Sequence, residues 1–253
     1  MNKSSDNLSG VILNFDSGVL PAPYSNMFRI HLDWSSGDLH VKLDLHYTNR
    51  EDISDQEILD EGFSLDDDFS YQGKLNNVWG KEAGKKYHSS KWSGKQLSDA
   101  GITVNPIEDN NELGTKIPAD QDGWLLLGQD IIQAIFETTG RESPLTIHYR
   151  SVNNDKNSDC SLTVHFSNRE VLLTSAVVTR TINWEYAMEL MKLIFTPDYD
   201  YQVAKESAPS KKGNYIECGD GLWHQLGKGV INIDESFDAV GKIQSRFGDL
   251  LAE

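Results

Sequence analysis

Residues 28–47 read FRIHLDWSSGDLHVKLDLHY. Apolar side chains take alternate positions, Phe28, Ile30, Leu32 and Trp34, then Leu39, Val41, Leu43, Leu45 and Tyr47, on either side of a Ser-Gly pair. Period-two alternation flanking a turn is the pattern of an antiparallel hairpin with one buried face. A turn centred on Ser36-Gly37 opposes Phe28 with Leu45, Ile30 with Leu43 and Trp34 with Leu39, so each core residue meets another. On the other face Arg29 meets Asp44 and Asp33 meets His40. A slip of one residue would turn the whole apolar set outward, which specifies the register strongly.

The end of this hairpin, LHYTNRE (45–51), returns 119 positions later as VHFSNRE (164–170), with four of seven letters identical. The flanks agree: LTIHYRS (145–151), a polar loop VNNDKNSD, and CSLTVHFSN alternate in the same way, and Ile30-His31 recurs as Ile147-His148. Downstream the match is looser. VLLTSAVVTRTI reads as a third strand, and Asn183 is placed to cap the helix WEYAMELMKLIF. In the first half SDQE (54–57) has capping-box form, FSYQGKL (69–75) is strand-like, and Asn76-Asn77-Val78-Trp79 opens a helical stretch. Asp122-Gly123-Trp124 and Leu127-Gly128 resemble Asp220-Gly221-Leu222 and Leu226-Gly227, and an amphipathic helix follows each, the first stopping at Gly140. These patterns predict an α+β fold made of an internally duplicated unit, an antiparallel hairpin and meander with flanking helices. The pseudo-symmetric halves are expected at residues 1–140 and 141–253. No Pro/Gly/Ser linker marks the seam at ETTGRESP, so one compact body is expected.

Charge limits the partners. The net charge is −16, with 11 basic and 23 acidic groups in residues 1–140 and 12 and 16 in 141–253. Phosphate backbones and anionic lipid require a surplus of Lys and Arg, so neither nucleic acid nor a membrane surface is expected. Residues 51–68 hold nine acids and no base. No apolar run approaches the roughly 18 residues of a membrane span, and nothing behind MNKSSDNLSG resembles a signal-peptide core. With only Cys160 and Cys218, the chain is expected in a reducing, cytoplasmic setting.

Candidate binding residues come from the repeat and from one basic stretch. Arg50-Glu51 with His46, and Arg169-Glu170 with His165, follow equivalent-looking strands, and the arginine fork suits carboxylate or phosphate. Asn49 and Asn168 have a turn-forming reason to be there. His31, His46, His148 and His165 fall at repeated positions, but the hairpin register separates His31 from His46 by about 13 Å at 3.3 Å per residue, too far for one metal. No metal and no cofactor are expected. KLNNVWGKEAGKKYHSSKWSGK (74–95) concentrates six lysines against one acid, with Lys85, Lys86 and Trp92 as the candidates for an anionic ligand. Its bland reading is a helix whose lysines offset Asp66 to Asp68. Cys218 and His224 lie on two arms joined by Asp220-Gly221, where a thiol–imidazole pair is conceivable, but a buried structural cysteine is the expected reading. Metalloprotease, nucleophile-elbow, phosphate-loop and EF-hand motifs are all absent. The leading expectation is a non-enzymatic acidic protein acting through its surface on a basic protein partner. The alternative is a small anionic-ligand-binding protein or enzyme with a cleft between the repeats.

Overall fold

Alternation at 28–47 produces strands β2 (Asn26–Asp33) and β3 (Leu39–Tyr47), paired antiparallel in the register that parity requires. Phe28 faces Leu45, Ile30 faces Leu43 and Leu32 faces Val41, while Arg29, His31 and Asp33 oppose Asp44, Lys42 and His40. The computed structural model describes residues 7–95, 97, 100–154, 157–234 and 236–252. The chain divides into two compact units, Met1–Glu142 and Ser143–Glu253.

In the first unit, Val11-Ile12-Leu13 forms the buried middle of β1 (Leu8–Asp16), which pairs with β2 on one side and β6 (Gly101–Glu108) on the other. Helix α1 (Asp55–Asp60) follows β3 and carries the expected capping box, Ser54 with Glu57. Then come β4 (Phe69–Leu75), α2 (Asn77–Ser89) capped by Asn76, β5 (Trp92–Ser93), β7 (Asn111–Glu112), β8 (Ile117–Pro118) and α3 (Gln121–Thr138). The antiparallel sheet runs β4-β3-β2-β1-β6-β7, and β5 pairs with β8 separately. Trp79 and Ala83 of α2 and Trp124, Ile131 and Ile135 of α3 are buried together with the apolar face of the sheet. Helix α3 comes so close to the sheet that a Cβ at Gly128 would lie 2.7 Å from Phe28 Cζ, which gives that glycine a packing reason. The helix ends as expected, with Gly140 at φ 71°.

The second unit holds β9 (Leu145–Val152), β10 (Asn157–His165), β11 (Glu170–Ser175), β12 (Thr179–Ile182), α4 (Trp184–Ile194), β13 (Asp198–Tyr199), β14 (Gly213–Glu217), β15 (Trp223–Gln225), β16 (Val230–Ile231) and α5 (Ala239–Ala252). Its sheet runs β12-β11-β10-β9-β14-β15, again antiparallel, and β13 pairs with β16. Asn183 caps α4 as expected, its side chain accepting from the Tyr186 amide. Tyr149 and Phe247 stack at 4.4 Å with their planes 3° apart, joining β9 to α5. Asp155 and Lys156 of the expected polar loop lie outside the described residues.

Three expectations change. VLLTSAVVTRTI is not one strand but the hairpin β11–β12, because the Ser175 side chain accepts from the Val177 and Val178 amides and turns the chain without Gly, Pro or Asn. LHYTNRE closes the third strand of its sheet in chain order, whereas VHFSNRE closes the second of its own, so the matched heptads occupy different strand positions. Asp122-Gly123-Trp124 lies inside α3, while Asp220-Gly221 lies in the β14–β15 turn, so that pairing of motifs relates unlike structures.

Candidate functional site

Strand β3 is followed by Thr48, whose amide donates to Ser25 O, and by Asn49 in the left-handed region at φ 58°. Asn tolerates that geometry, and the chain turn delivers Arg50 into a pocket of its own loops. Arg50 Nε donates to Pro23 O at 3.2 Å, and Nη1 donates to Ser64 O at 3.3 Å and to Asp67 Oδ2 at 2.9 Å. The guanidinium lies 4.3 Å over the Tyr47 ring and 5.0 Å over Phe63. Phe63 meets Tyr24 and Tyr47 edge to face, and the Tyr24 hydroxyl donates to Glu61. One cation therefore ties the β1–β2 loop, residues 17–25, to the β3–β4 excursion, residues 48–68.

The carboxylates nearest the sheet are held ionised. Burial alone would raise Asp67, but the Ser64 hydroxyl, Arg50 and the Ser64 amide together bring it below the usual carboxylate range. Asp68 is lowered by its hydrogen bond to His46 Nδ1 at 2.8 Å and by the Tyr47 amide. The rest of the segment faces water: eight of the nine acids between 51 and 68 are exposed, Asp67 being the ninth. Apolar side chains stand among them, with Val19 89% and Leu65 56% exposed, and Leu20, Tyr24 and Leu59 also in solvent.

The other expected residues separate into different settings. Glu51 is exposed on the same excursion. In the second unit it is Arg169, not Asn168, that takes the left-handed conformation, at φ 54°. Arg169 Nη2 donates to Glu185 at 3.1 Å, and its guanidinium lies 5.2 Å over Trp184, a structural clasp like that of Arg50. Glu170 accepts from Asn168 and Thr181, and His165 stands opposite it in the β10–β11 register. Lys86 pairs with Asp120 at 3.0 Å, and Trp92 packs on Tyr87 and Trp124 at 5.2 and 6.1 Å. The helix of the bland reading forms and Trp79 anchors it in the core, but among the described residues no ion pair joins a lysine of 74–95 to Asp66, Asp67 or Asp68: Asp67 and Asp68 have Arg50 and His46, and Lys74 pairs with Asp38.

Cys218 and His224 do not form a nucleophile pair. The thiol donates to the Tyr199 hydroxyl at 3.5 Å, and burial pushes it up to about 11, leaving it protonated at neutral pH. His224 is buried between the rings of Tyr199 and Tyr201, each 5.1 Å away. Among the described residues, no group of three or more His, Cys, Asp or Glu side chains is placed to hold a metal ion, and no helix is long and apolar enough to cross a membrane.

What sequence reading missed is the groove beside α2. Asn77, Gly80, Lys81, Gly84, Lys85 and His88 recur at helical spacing on one face, a signal present in the letters, but the wall opposite them is Trp34 from the β2–β3 hairpin. Comparison with known proteins gives no match, whether to a family model, a curated protein or a solved structure.

Proposed function

We propose that this chain is a non-enzymatic binding protein whose acidic loop pair, residues 17–25 and 48–68, receives a basic protein partner. The observation that carries this reading is the charge of residues 48–68: eight exposed carboxylates stand on the excursion whose one arginine, Arg50, is already engaged by Asp67. Unneutralised charge steers an oppositely charged partner and sets its association rate, while exposed Val19, Leu59 and Leu65 offer apolar contact for the docked state. Arg50 holds the two loops in one geometry, so little ordering is left to occur on binding. Nucleic acid has no place in this reading, given the net charge. The two free cysteines support a reducing, cytoplasmic setting.

The test reverses charge at exposed positions, with circular dichroism checking the fold because Asp55 lies in the first turn of α1. Asp52, Asp55 and Asp66 are exposed and make no hydrogen bond or ion pair among the described residues. A pull-down with the native chain and with D52K/D55K/D66K is followed by association-rate measurements on the recovered partner. The expected partner is basic, associates about tenfold more slowly with the variant at low salt, and loses rate as salt rises. An acidic partner, or one that associates equally fast with both, removes the reading.

The same proposal treats the two units as copies of one fold, aligned by chain order rather than by the heptads. Its support is that β1-β2-β3-β4, α2, β5, β6, β7, β8 and α3 follow the same order and sheet pairing as β9-β10-β11-β12, α4, β13, β14, β15, β16 and α5. Asn76 and Asn183, capping α2 and α4, then become counterparts.

A further inference from the structure

Glycine inside a helix is unfavourable relative to alanine, and α2 carries two of them, Gly80 and Gly84, one turn apart on the same face. Packing accounts for the first. A Cβ at Gly80 would stand 3.3 Å from Leu39 Cδ1 and 3.4 Å from Trp34 Cε3, tighter than most real contacts. It does not account for the second, because a Cβ at Gly84 would meet only Trp34 Cζ2 at an ordinary 3.8 Å. At position 84 a methyl group would fit without strain, touching the indole, so glycine leaves the helix surface there lower than packing requires.

The space over it has fixed walls. Trp34 Nε1 donates to Leu8 O at 3.0 Å, which locks the indole beside the glycine face. Asn77 accepts from the Leu39 amide at 2.7 Å and donates to Gly37 O at 2.9 Å, clipping the hairpin tip to the first turn of α2. Between them lies a groove of about 440 Å³, within the size range of small-molecule sites. Lys81 and Lys85, four residues apart and therefore neighbours on the helix surface, line it together with His88. Both lysines are exposed, and neither has an ion-pair partner among the described residues, whereas Lys74 and Lys86 on either side of them are paired. Among the described residues no acid lines the groove, in a chain with a net charge of −16.

We propose that this groove is a binding site for a small organic anion with a flat ring, of the size and charge of a nucleoside monophosphate. The ring lies in the groove against its Trp34 and glycine lining, and the phosphate or equivalent anion sits at Lys81 and Lys85. Aromatic and aliphatic floor, glycine backbone and a convergent pair of cations are the parts such a ligand needs. The site is independent of the acidic loop pair, its described lining coming from β1, the β2–β3 hairpin, the first residue of β3 and α2.

The experiment titrates adenosine monophosphate and, separately, inorganic phosphate into the full chain by calorimetry, with indole N–H resonances followed by NMR and that of Trp34 assigned through W34F. Native protein is expected to bind adenosine monophosphate and to shift the Trp34 resonance. Phosphate alone is expected to bind about tenfold more weakly or more, because it lacks the ring contact. K81E/K85E, altered only at exposed unpaired positions, is expected to weaken binding by about tenfold or more, and G84L to abolish it by filling the groove. Circular dichroism checks that each variant is folded, and should G84L fail to fold, K81E/K85E decides alone. No binding to native protein at millimolar concentration, equal binding to K81E/K85E, or phosphate binding as tightly as adenosine monophosphate overturns the proposal.

Discussion

Arg50→Ala is expected to destabilise the protein by about 2–4 kcal/mol, lowering its melting temperature by roughly 5–10 °C, and to slow partner association as well. The Arg50 side chain is only 15% exposed and that of Asp67 16%, so the pair is shielded from the solvent screening that makes surface ion pairs weak. Truncation removes three hydrogen bonds and two aromatic contacts at once. It also leaves Asp67 charged, shielded and flanked in sequence by Asp66 and Asp68. Arg50→Lys keeps the charge but cannot repeat the planar fork, so about half of the loss is expected to persist. The pH dependence follows from Asp67, whose folded-state pKa lies below its ordinary value. A depressed carboxylate contributes stability that is present above the unfolded pKa, near 3.9, and that is lost as pH falls through the folded value. Melting temperatures from pH 7 down to pH 2 should therefore fall less steeply in Arg50→Ala than in the native protein. Equal acid slopes would mean that Arg50 does not hold Asp67 in its ionised form.

Phe247→Ala is expected to cost about 3–5 kcal/mol, the largest loss foreseen for a single side chain. The ring is fully buried in α5 and stacked flat on Tyr149, itself buried in β9, so its removal leaves a cavity between helix and sheet that neither side fills easily. Phe247→Leu retains most of the volume and should cost about 1–2 kcal/mol. A second readout comes from Tyr149, whose phenol is pushed up to about 12 by burial and by the neighbouring Cys160. Water entering the cavity relieves that burial, so the phenol should titrate closer to its ordinary value near 10 in the alanine variant. Denaturant midpoints and an ultraviolet titration measure the two effects. A loss below about 1 kcal/mol would mean that α5 is not docked through this ring.

The hairpin at 26–47 was legible residue by residue, because a side-chain period of two and a turn between fixed arms leave one register that buries every apolar group. The caps Ser54, Asn76 and Asn183 were legible for a similar reason, since a cap is a contact between a side chain and an amide two or three residues away. The hairpin inside VLLTSAVVTRTI was not. A serine bonding its own backbone leaves no glycine or proline to announce the turn, and the apolar run that hides it includes Val177, which is in fact exposed.

The recurrence of LHYTNRE as VHFSNRE taught less than it promised. Both sevens end a strand paired in a hairpin, but strand order gives them different places in their sheets. Local chemistry requires only an alternating strand followed by a turn, and many strand positions meet that requirement. Arg50 and Arg169 could be read as surface charges at a turn or as the polar part of a pocket, and each is engaged by a carboxylate and an aromatic ring of its own unit. The partners are Asp67 and Glu185, 17 and 16 residues on, beyond any spacing that local structure enforces.

By itself the sequence determined what short-range physics controls: the pairing of β2 with β3, the helix caps, the acidic content of residues 51–68 and the chance of a cationic face on α2. Only the tertiary structure decided that residues 8–16 lie between β2 and residues 101–108, that Arg50 is enclosed by two loops, and that Trp34 stands opposite Gly84. Those outcomes depend on hydrogen bonds and packing between segments up to about a hundred residues apart, whose closure is governed by how the whole apolar surface is buried and leaves no periodic mark in the letters.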